Sequence, residues 1–103
     1  MVISTTNEIQ GKTLEVLGIA SGSTVQTVNA IRDLGASFRT IVGGEAKKYT
    51  EMMENARGLA TQRMLAMAAN MGADAVVGVR YSSSSVMQGA AEVMAYGTAV
   101  KFV

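Results

Sequence analysis

The sequence predicts an α+β protein with two layers, in which one long helix packs on an antiparallel sheet. The helix is indicated by apolar residues that recur every three or four positions between Glu45 and Met71. The sheet is indicated by short apolar stretches on both sides of that segment, three of which contain a glycine at Gly18, Gly78 or Gly97. Because glycine weakens the interior of a strand, these three positions predict that a helix or a second subunit comes very close to the sheet.

The composition limits both the size of the protein and its chemistry. The 103 residues suffice for one domain, which we predict to span 1–103. The chain has neither cysteine nor histidine, so thiol catalysis is excluded and the commonest general base is absent. No nucleophile has a visible base, and we therefore predict no enzyme activity and no cofactor. With five aromatic residues and a formal net charge of +1, the chain shows neither the stacking residues nor the basic stripe of a nucleic-acid-binding protein, so we predict no nucleic-acid partner.

The start of the chain is predicted to form an edge strand over Met1–Ser4. The segment Met1–Glu8 lacks the basic start and apolar core of a secretory signal. No stretch approaches the roughly 18 apolar residues of a membrane span. These observations predict a cytoplasmic location and no membrane partner.

The next part of the chain is expected to hold one clear strand and one ambiguous helix. Thr13–Ala20 is the first long strand, and the turn-forming residues Ser21–Ser23 are expected to end it. Apolar residues every three or four positions then predict a short, irregular helix over about Val28–Phe38. The pair Gly43–Gly44 is expected to be a hinge before the long helix.

The long helix is predicted from Glu45 to Met71, with Gly72 as a left-handed cap at its end. At about 1.5 Å per residue it would be about 40 Å long. A domain of this size is expected to be only roughly 26 Å across. The helix should therefore project from the subunit or be covered by a neighbouring chain.

Two strands are predicted after the helix, over Ala75–Tyr81 and Ala91–Val103, with a loop from Ser82 to Gly89 between them. Since side chains alternate along a strand, Val79 is expected on the same face as Val77. Both faces of the two strands are largely apolar, and one helix covers only one face of a sheet. We therefore predict a homo-oligomer in which copies of the chain cover one another.

Two patterns are candidate metal sites. Met64, Met67 and Met71 share one face of the helix and could hold Cu(I) or Ag(I), although a methionine stripe usually belongs to the core. A hard cation would instead need carboxylates that are scattered along the sequence and lack the spacing of a calcium loop. These carboxylates belong to Asp33, Glu45, Asp74 and Glu92.

Two further patterns are candidate anion sites. Gly43–Gly44 precedes the helix, so the first free N–H groups of the helix could hold a phosphate, although such a pair is more often a hinge. Arg80 lies in an apolar strand, where its charge needs a partner. That partner is expected to be an acidic residue across a subunit boundary, with a ligand carboxylate or phosphate as the alternative.

Several blocks of the sequence also resemble the YbjQ-like family of small bacterial and archaeal proteins, over essentially the whole chain. The blocks are Arg32-Asp33, Gly43-Gly44-Glu45, Tyr49, Arg57, Met64, Gly72–Arg80 and Ala95–Val100. The resemblance implies a subunit similar to that of dodecin, with a helix packed on an antiparallel sheet. It also implies assembly into a ring, which would be a pentamer. The family carries the label "putative heavy-metal-binding" and has unknown function.

The blocks supply the candidate binding residues. They are Arg32, Asp33, Gly43, Gly44, Glu45, Tyr49, Arg57 and Arg80. We predict a homo-oligomeric binding or structural protein, whose partner is itself and whose ligand is unassigned. Two alternatives stay open at this point. One is binding of a metal ion or small anionic ligand at subunit boundaries, and the other is an adaptor for another macromolecule.

Overall fold

A three-stranded antiparallel ribbon, extended by one short strand, forms the sheet of the protein. The elements of this computed structural model are β1 (Val2–Ile3), β2 (Leu14–Thr27), α1 (Val42–Asn70), β3 (Ala75–Met87) and β4 (Ala90–Phe102). The model describes the backbone of residues 1–27, 42–87 and 90–103 and the side chains of residues 1–25, 50–84 and 92–103. β4 pairs antiparallel with both β2 and β3, whereas β1 pairs parallel with β3. The sheet has the order β1-β3-β4-β2 and is mixed, so the expectation of a wholly antiparallel sheet is wrong at its β1 edge.

Two of the strands are longer than the sequence predicted. β2 continues through Ser21–Ser23, and β3 continues through Ser82–Met87, where a loop was expected. Both extensions pair with β4, the first residue by residue and the second with a register shift between Ser85 and Met87. The ladder therefore overrides the turn preference of serine and glycine, because strand preference depends strongly on cross-strand neighbours. The helix predicted over Val28–Phe38 lies outside the described residues.

The long helix matches the sequence prediction closely, with α1 running from Val42 to Asn70. Gly43 and Gly44 lie in its first turn, so the expected hinge at this pair is wrong. Gly72, two residues beyond the end of the helix, caps it with a left-handed φ of +80°. The N–H of Gly72 bonds to Ala69 O at 3.0 Å, and the next N–H bonds to Ala68 O at 3.1 Å. This is the Schellman pattern, and it satisfies the last carbonyls of the helix.

The core between helix and sheet is built from small residues. A stripe of buried side chains along α1 faces buried residues of β2, β3 and β4. The stripe consists of Ala56, Ala60, Met64 and Ala68. Because alanine projects little from the helix, α1 can lie very close to β2. The backbone of the helix comes closest to the strand at Gly22, where an added Cβ would meet Met64 N, Ala60 O and Arg63 Cβ.

A β-bulge in β3 changes which side chains face the helix. The register to β4 shifts between Val77 and Arg80, and Gly78 has a φ of +62°. Val76 and Val79 consequently both join the core under the helix, whereas Val77 joins a smaller apolar cluster on the opposite face. The prediction that Val79 shares a face with Val77 is therefore wrong, because the bulge adds one residue to the alternation.

The three glycines singled out in the sequence have different neighbours. An added Cβ at Gly18 would lie 3.2 Å from the side-chain atom Cε of Met71, the first residue after the helix. One at Gly97 would lie 2.8 Å from Val76 Cγ1 and 2.9 Å from Val77 O, so the close neighbour there is β3 of the same subunit. One at Gly78 would lie 3.4 Å from Asn7 Oδ1.

The molecule is elongated, with extents of 55 × 25 × 17 Å. In the part of the chain that the structure describes, no helix combines the length and the apolar composition needed to cross a membrane.

Candidate functional site

The described residues cover only part of the face of the sheet that points away from α1. Near one end, Ile9 and Leu14 pack over Val77 and Val100. The rest of this face, which we call the open face, carries exposed apolar side chains. Their exposed fractions are 69% for Val16, 72% for Ile19, 51% for Val25 and 37% for Tyr96. Several exposed apolar side chains on one face are typical of a surface that is covered by a partner or a ligand.

A groove opens at the edge of the covered part, between the segment 7–14 and the strands. Its volume is about 680 Å³, within the range of small-molecule sites. The floor is mostly apolar and the rim is polar. The floor includes Ile9, Leu14, Val16, Val77, Thr98 and Val100, and the rim includes Asn7, Glu8, Gln10, Lys12 and Thr13. The Lys12 ammonium also lies 5.0 Å from the centre of the Phe102 ring, which holds one cation beside the groove.

Arg80 is exposed and belongs to the open face. Its Nη1 donates to Thr5 O at 3.1 Å and to Val79 O at 2.8 Å. The expectation that Arg80 shares a small, apolar strand face is therefore wrong, whereas the acidic partner expected across a subunit boundary stays a prediction. The bulge at Gly78 brings Arg80 to the surface, where it ties the N-terminal segment to β3.

Arg57 lies in the other layer of the protein, on the exposed side of α1. Its backbone carbonyl accepts the Thr61 hydroxyl at 2.7 Å, and that hydroxyl also bonds to Tyr81 Oη at 2.8 Å. This contact joins the helix to β3 on the face opposite Arg80. The structure therefore does not bring the two candidate arginines into one site.

The remaining candidate binding residues fall at or beyond the limit of the described chain. Gly43, Gly44, Glu45 and Tyr49 lie in the first turns of α1, and nothing is described of their side chains. The pair Arg32-Asp33 lies outside the described residues.

The side-chain donors of the described residues do not fit a heavy-metal centre. The chain has no cysteine and no histidine, and the described residues contain no group of three or more carboxylates. Asp74 uses its carboxylate to accept the Phe102 N–H at 2.8 Å. Met64 is fully buried in the core, and Met67 Sδ accepts the Ser21 N–H at 3.4 Å. Met64 thus serves packing and Met67 a contact with β2.

The comparisons with known proteins agree on family and fold. The model of the family described as "YbjQ_1: Putative heavy-metal-binding" matches residues 1–103. A UPF0145 protein from Thermotoga maritima is 52% identical over 102 residues, covering 98% of this chain and 96% of the relative. A UPF0145 protein from Vibrio campbellii is 50% identical over 104 residues and covers 100% of both chains.

A solved structure shows the same fold at low sequence identity. It is a crystal structure of a protein with unknown function of the DUF74 family from Pediococcus pentosaceus, with a TM-score of 0.71 and 16% identity. The match covers 100% of this chain and 98% of the other. None of these names states an activity. From the match over its whole length and relatives that are about half identical, this chain belongs to the YbjQ family of uncharacterised proteins.

Proposed function

We propose that the protein is a non-catalytic binding or structural protein that works as a homo-oligomeric ring, with a subunit similar to that of dodecin. The observation that carries the proposal is the open face, on which Val16 and Ile19 stay about 70% exposed. A ring of five copies and a cytoplasmic location are parts of the same proposal, the first from the family resemblance and the second from the sequence.

The free energy gained by burying the apolar side chains of the open face favours association. Full burial of one valine or isoleucine side chain stabilises by about 1.5–3 kcal/mol. Covering Val16 and Ile19 would therefore contribute about 2–4 kcal/mol to each contact between subunits. Burial of Tyr96 would add to this contribution. Association must also offset the lost rotational and translational freedom of the subunits, which a closed ring does by forming two contacts for each copy.

The absence of catalysis is supported by how the described polar side chains are used. Arg63, Asp74 and Arg80 bond to main-chain groups, and the Thr61 and Tyr81 hydroxyls bond to each other. A nucleophile would need a base within hydrogen-bonding reach. Without histidine or cysteine in the chain, the proposal assigns these groups to structure.

Replacing Ile19 by glutamate is expected to dissociate the oligomer, because the contact would then bury an unpaired carboxylate. Native mass spectrometry and sedimentation at micromolar concentration should give a multiple of the 10.7 kDa chain for the wild type and single chains for Ile19→Glu. The matched control is Leu59→Glu, an exposed apolar position on the helix, which should leave the mass unchanged. A wild type that sediments as single chains would refute the proposal.

The groove favours a second function, binding of a small amphipathic ligand with an anionic group. Its apolar floor would take the body of the ligand, and Lys12 would face the charge. Val16 lines the groove and also belongs to the open face, so such a ligand would lie next to the contact between subunits.

Filling the groove at Thr98 is expected to weaken ligand binding. The probe is 8-anilinonaphthalene-1-sulfonate, an anionic aromatic dye whose fluorescence rises in apolar sites. Thr98→Phe should lower its affinity at least tenfold, whereas Thr98→Val should keep it. Equal affinity of wild type and Thr98→Phe would show that the dye does not use the groove.

A further inference from the structure

The two outer edges of the sheet can be compared because the direction of each backbone group follows from the ladder. Asp74 N–H donates to Val100 O at 2.8 Å, so Val100 directs its backbone groups towards β3. In an antiparallel pair this direction alternates, so Tyr96 and Met94 are also directed towards β3. Their partners on β2, Ser21 and Ser23, must therefore direct their backbone groups away from the sheet.

At Ser21 and Ser23, the edge of β2 is covered by the helix. The Ser21 N–H is taken by Met67 Sδ at 3.4 Å, and Arg63 Nη1 donates to Ser23 O at 2.6 Å. Both contacts agree with the direction derived from the ladder. Side chains that occupy outward backbone groups block the addition of another strand, as natural proteins commonly do at exposed edges.

The edge of β3 is covered only in its first part. The Ser4 N–H donates to Val76 O at 3.0 Å, and Gly78 N–H donates to Thr6 O at 2.8 Å. Beyond the bulge, Arg80 opposes Tyr96 and is directed inward, so Tyr81 and Ser83 direct their backbone groups outward. Within the described residues, no hydrogen bond reaches the backbone groups of these two residues from outside.

We propose that the outer edge of β3 from Tyr81 to Met87 binds a strand of a second copy of this chain. That strand is the Leu14–Ala20 part of the neighbouring β2, and it pairs parallel to β3. The inference rests on the proposed homo-oligomer and names the contact that builds it. The result is a sheet that continues from one subunit into the next.

Two features of the structure select this part of β2 as the partner. First, β2 and β3 both run antiparallel to β4 and hence in the same direction. Head-to-tail pairing around a rotation axis preserves strand direction and therefore gives a parallel ladder, whereas a two-fold pairing of β3 with itself would be antiparallel. Second, Leu14–Ala20 precedes the positions blocked by Met67 and Arg63 and carries the exposed Val16 and Ile19, which a neighbour would cover.

Proline at position 83 tests the edge directly, since it removes an N–H that points outward and leaves the ladder to β4 intact. Ser83→Pro is expected to keep the far-ultraviolet circular dichroism spectrum of the wild type and to run as single chains in native mass spectrometry. Ser83→Ala, which keeps the N–H, should give the wild-type mass. A folded Ser83→Pro with the wild-type mass would overturn the edge contact while leaving the homo-oligomer in place.

Cysteine cross-linking identifies the partner strand, because the natural chain has no cysteine. Ser82 lies on the open face, like Val16 and Ile19. Chains that carry Ser82→Cys together with Val16→Cys or Ile19→Cys should form covalent multimers under mild oxidation. Chains with Ser82→Cys alone should stay unlinked.

The outcomes of the cross-linking separate the possible failures. Efficient dimers of Ser82→Cys alone would show that β3 pairs with itself, which contradicts the proposal. An oligomer with no cross-link from either double variant would also overturn it. A wild type that is a single chain would instead remove the proposed homo-oligomer and this contact with it.

Discussion

Gly22→Ala is expected to destabilise the protein by at least about 3 kcal/mol, the upper end of the usual range for overpacking. The added Cβ would collide with Met64 N and Ala60 O and would lie 2.6 Å from Arg63 Cβ. The first two are backbone atoms of α1, so no change of rotamer can relieve the clash. The helix would have to move away from β2 along much of its length, which would open the core of small residues.

Chemical denaturation followed by circular dichroism would measure this effect. The control is Gly58→Ala, since Gly58 lies inside α1 and an added Cβ there meets nothing within 4 Å. Alanine is the better helix former, so Gly58→Ala should stabilise the protein by about 0.5–1 kcal/mol. Opposite signs at the two positions would establish that Gly22 is limited by space and not by strand preference. Equal stability of Gly22→Ala and the wild type would mean that helix and strand are further apart.

Gly97→Val is expected to destabilise the protein by about 2–4 kcal/mol, because the new side chain would overpack β3 inside the same subunit. Its Cβ alone would lie 2.8 Å from Val76 Cγ1, 2.9 Å from Val77 O and 3.2 Å from Val79 Cγ2. The two valines face Gly97 together because of the bulge between them. The side chains could shift slightly, but the carbonyl belongs to the ladder and cannot.

The melting temperature of Gly97→Val should therefore fall by several degrees or more, roughly 4–8 °C for each kcal/mol in a domain of this size. Thr98→Val is the matched control, since it places the same side chain at the neighbouring residue, which points to the opposite face of the sheet. That control should melt within a few degrees of the wild type. If both variants melt alike, the close contact at Gly97 does not limit packing.

The long elements could be predicted from the sequence because each repeats its pattern many times. The helix predicted over Glu45–Met71 lies at Val42–Asn70, and the last strand, predicted over Ala91–Val103, lies at Ala90–Phe102. The stretches Ser21–Ser23 and Ser82–Ser85 were expected to be turn or loop. They are strands because β4 pairs with both, and such long-range pairing leaves no trace in the local composition.

The candidate site was less accessible to sequence reasoning. Gly22 was interpreted as part of a turn, so its contact with the helix was missed. The only local signal was the apolar Val25, which continues the alternation beyond the serines. Arg63 and Met67 gave no signal for their contacts with β2, because a helix face does not reveal which strand edge it meets. Arg80 was placed among apolar neighbours because a bulge cannot be seen in an alternating pattern.

The bulge at Gly78 also sets the phase of everything that follows it in β3. If Gly78 took its place in the regular alternation and was not the extra residue of a bulge, every later side chain of β3 would move to the other face of the sheet. Arg80 would then point under the helix, and Tyr81 would lose its hydrogen bond to Thr61 and emerge on the other side. The extra residue at this glycine thus decides which side chains of a serine-rich strand face the helix and which face outward.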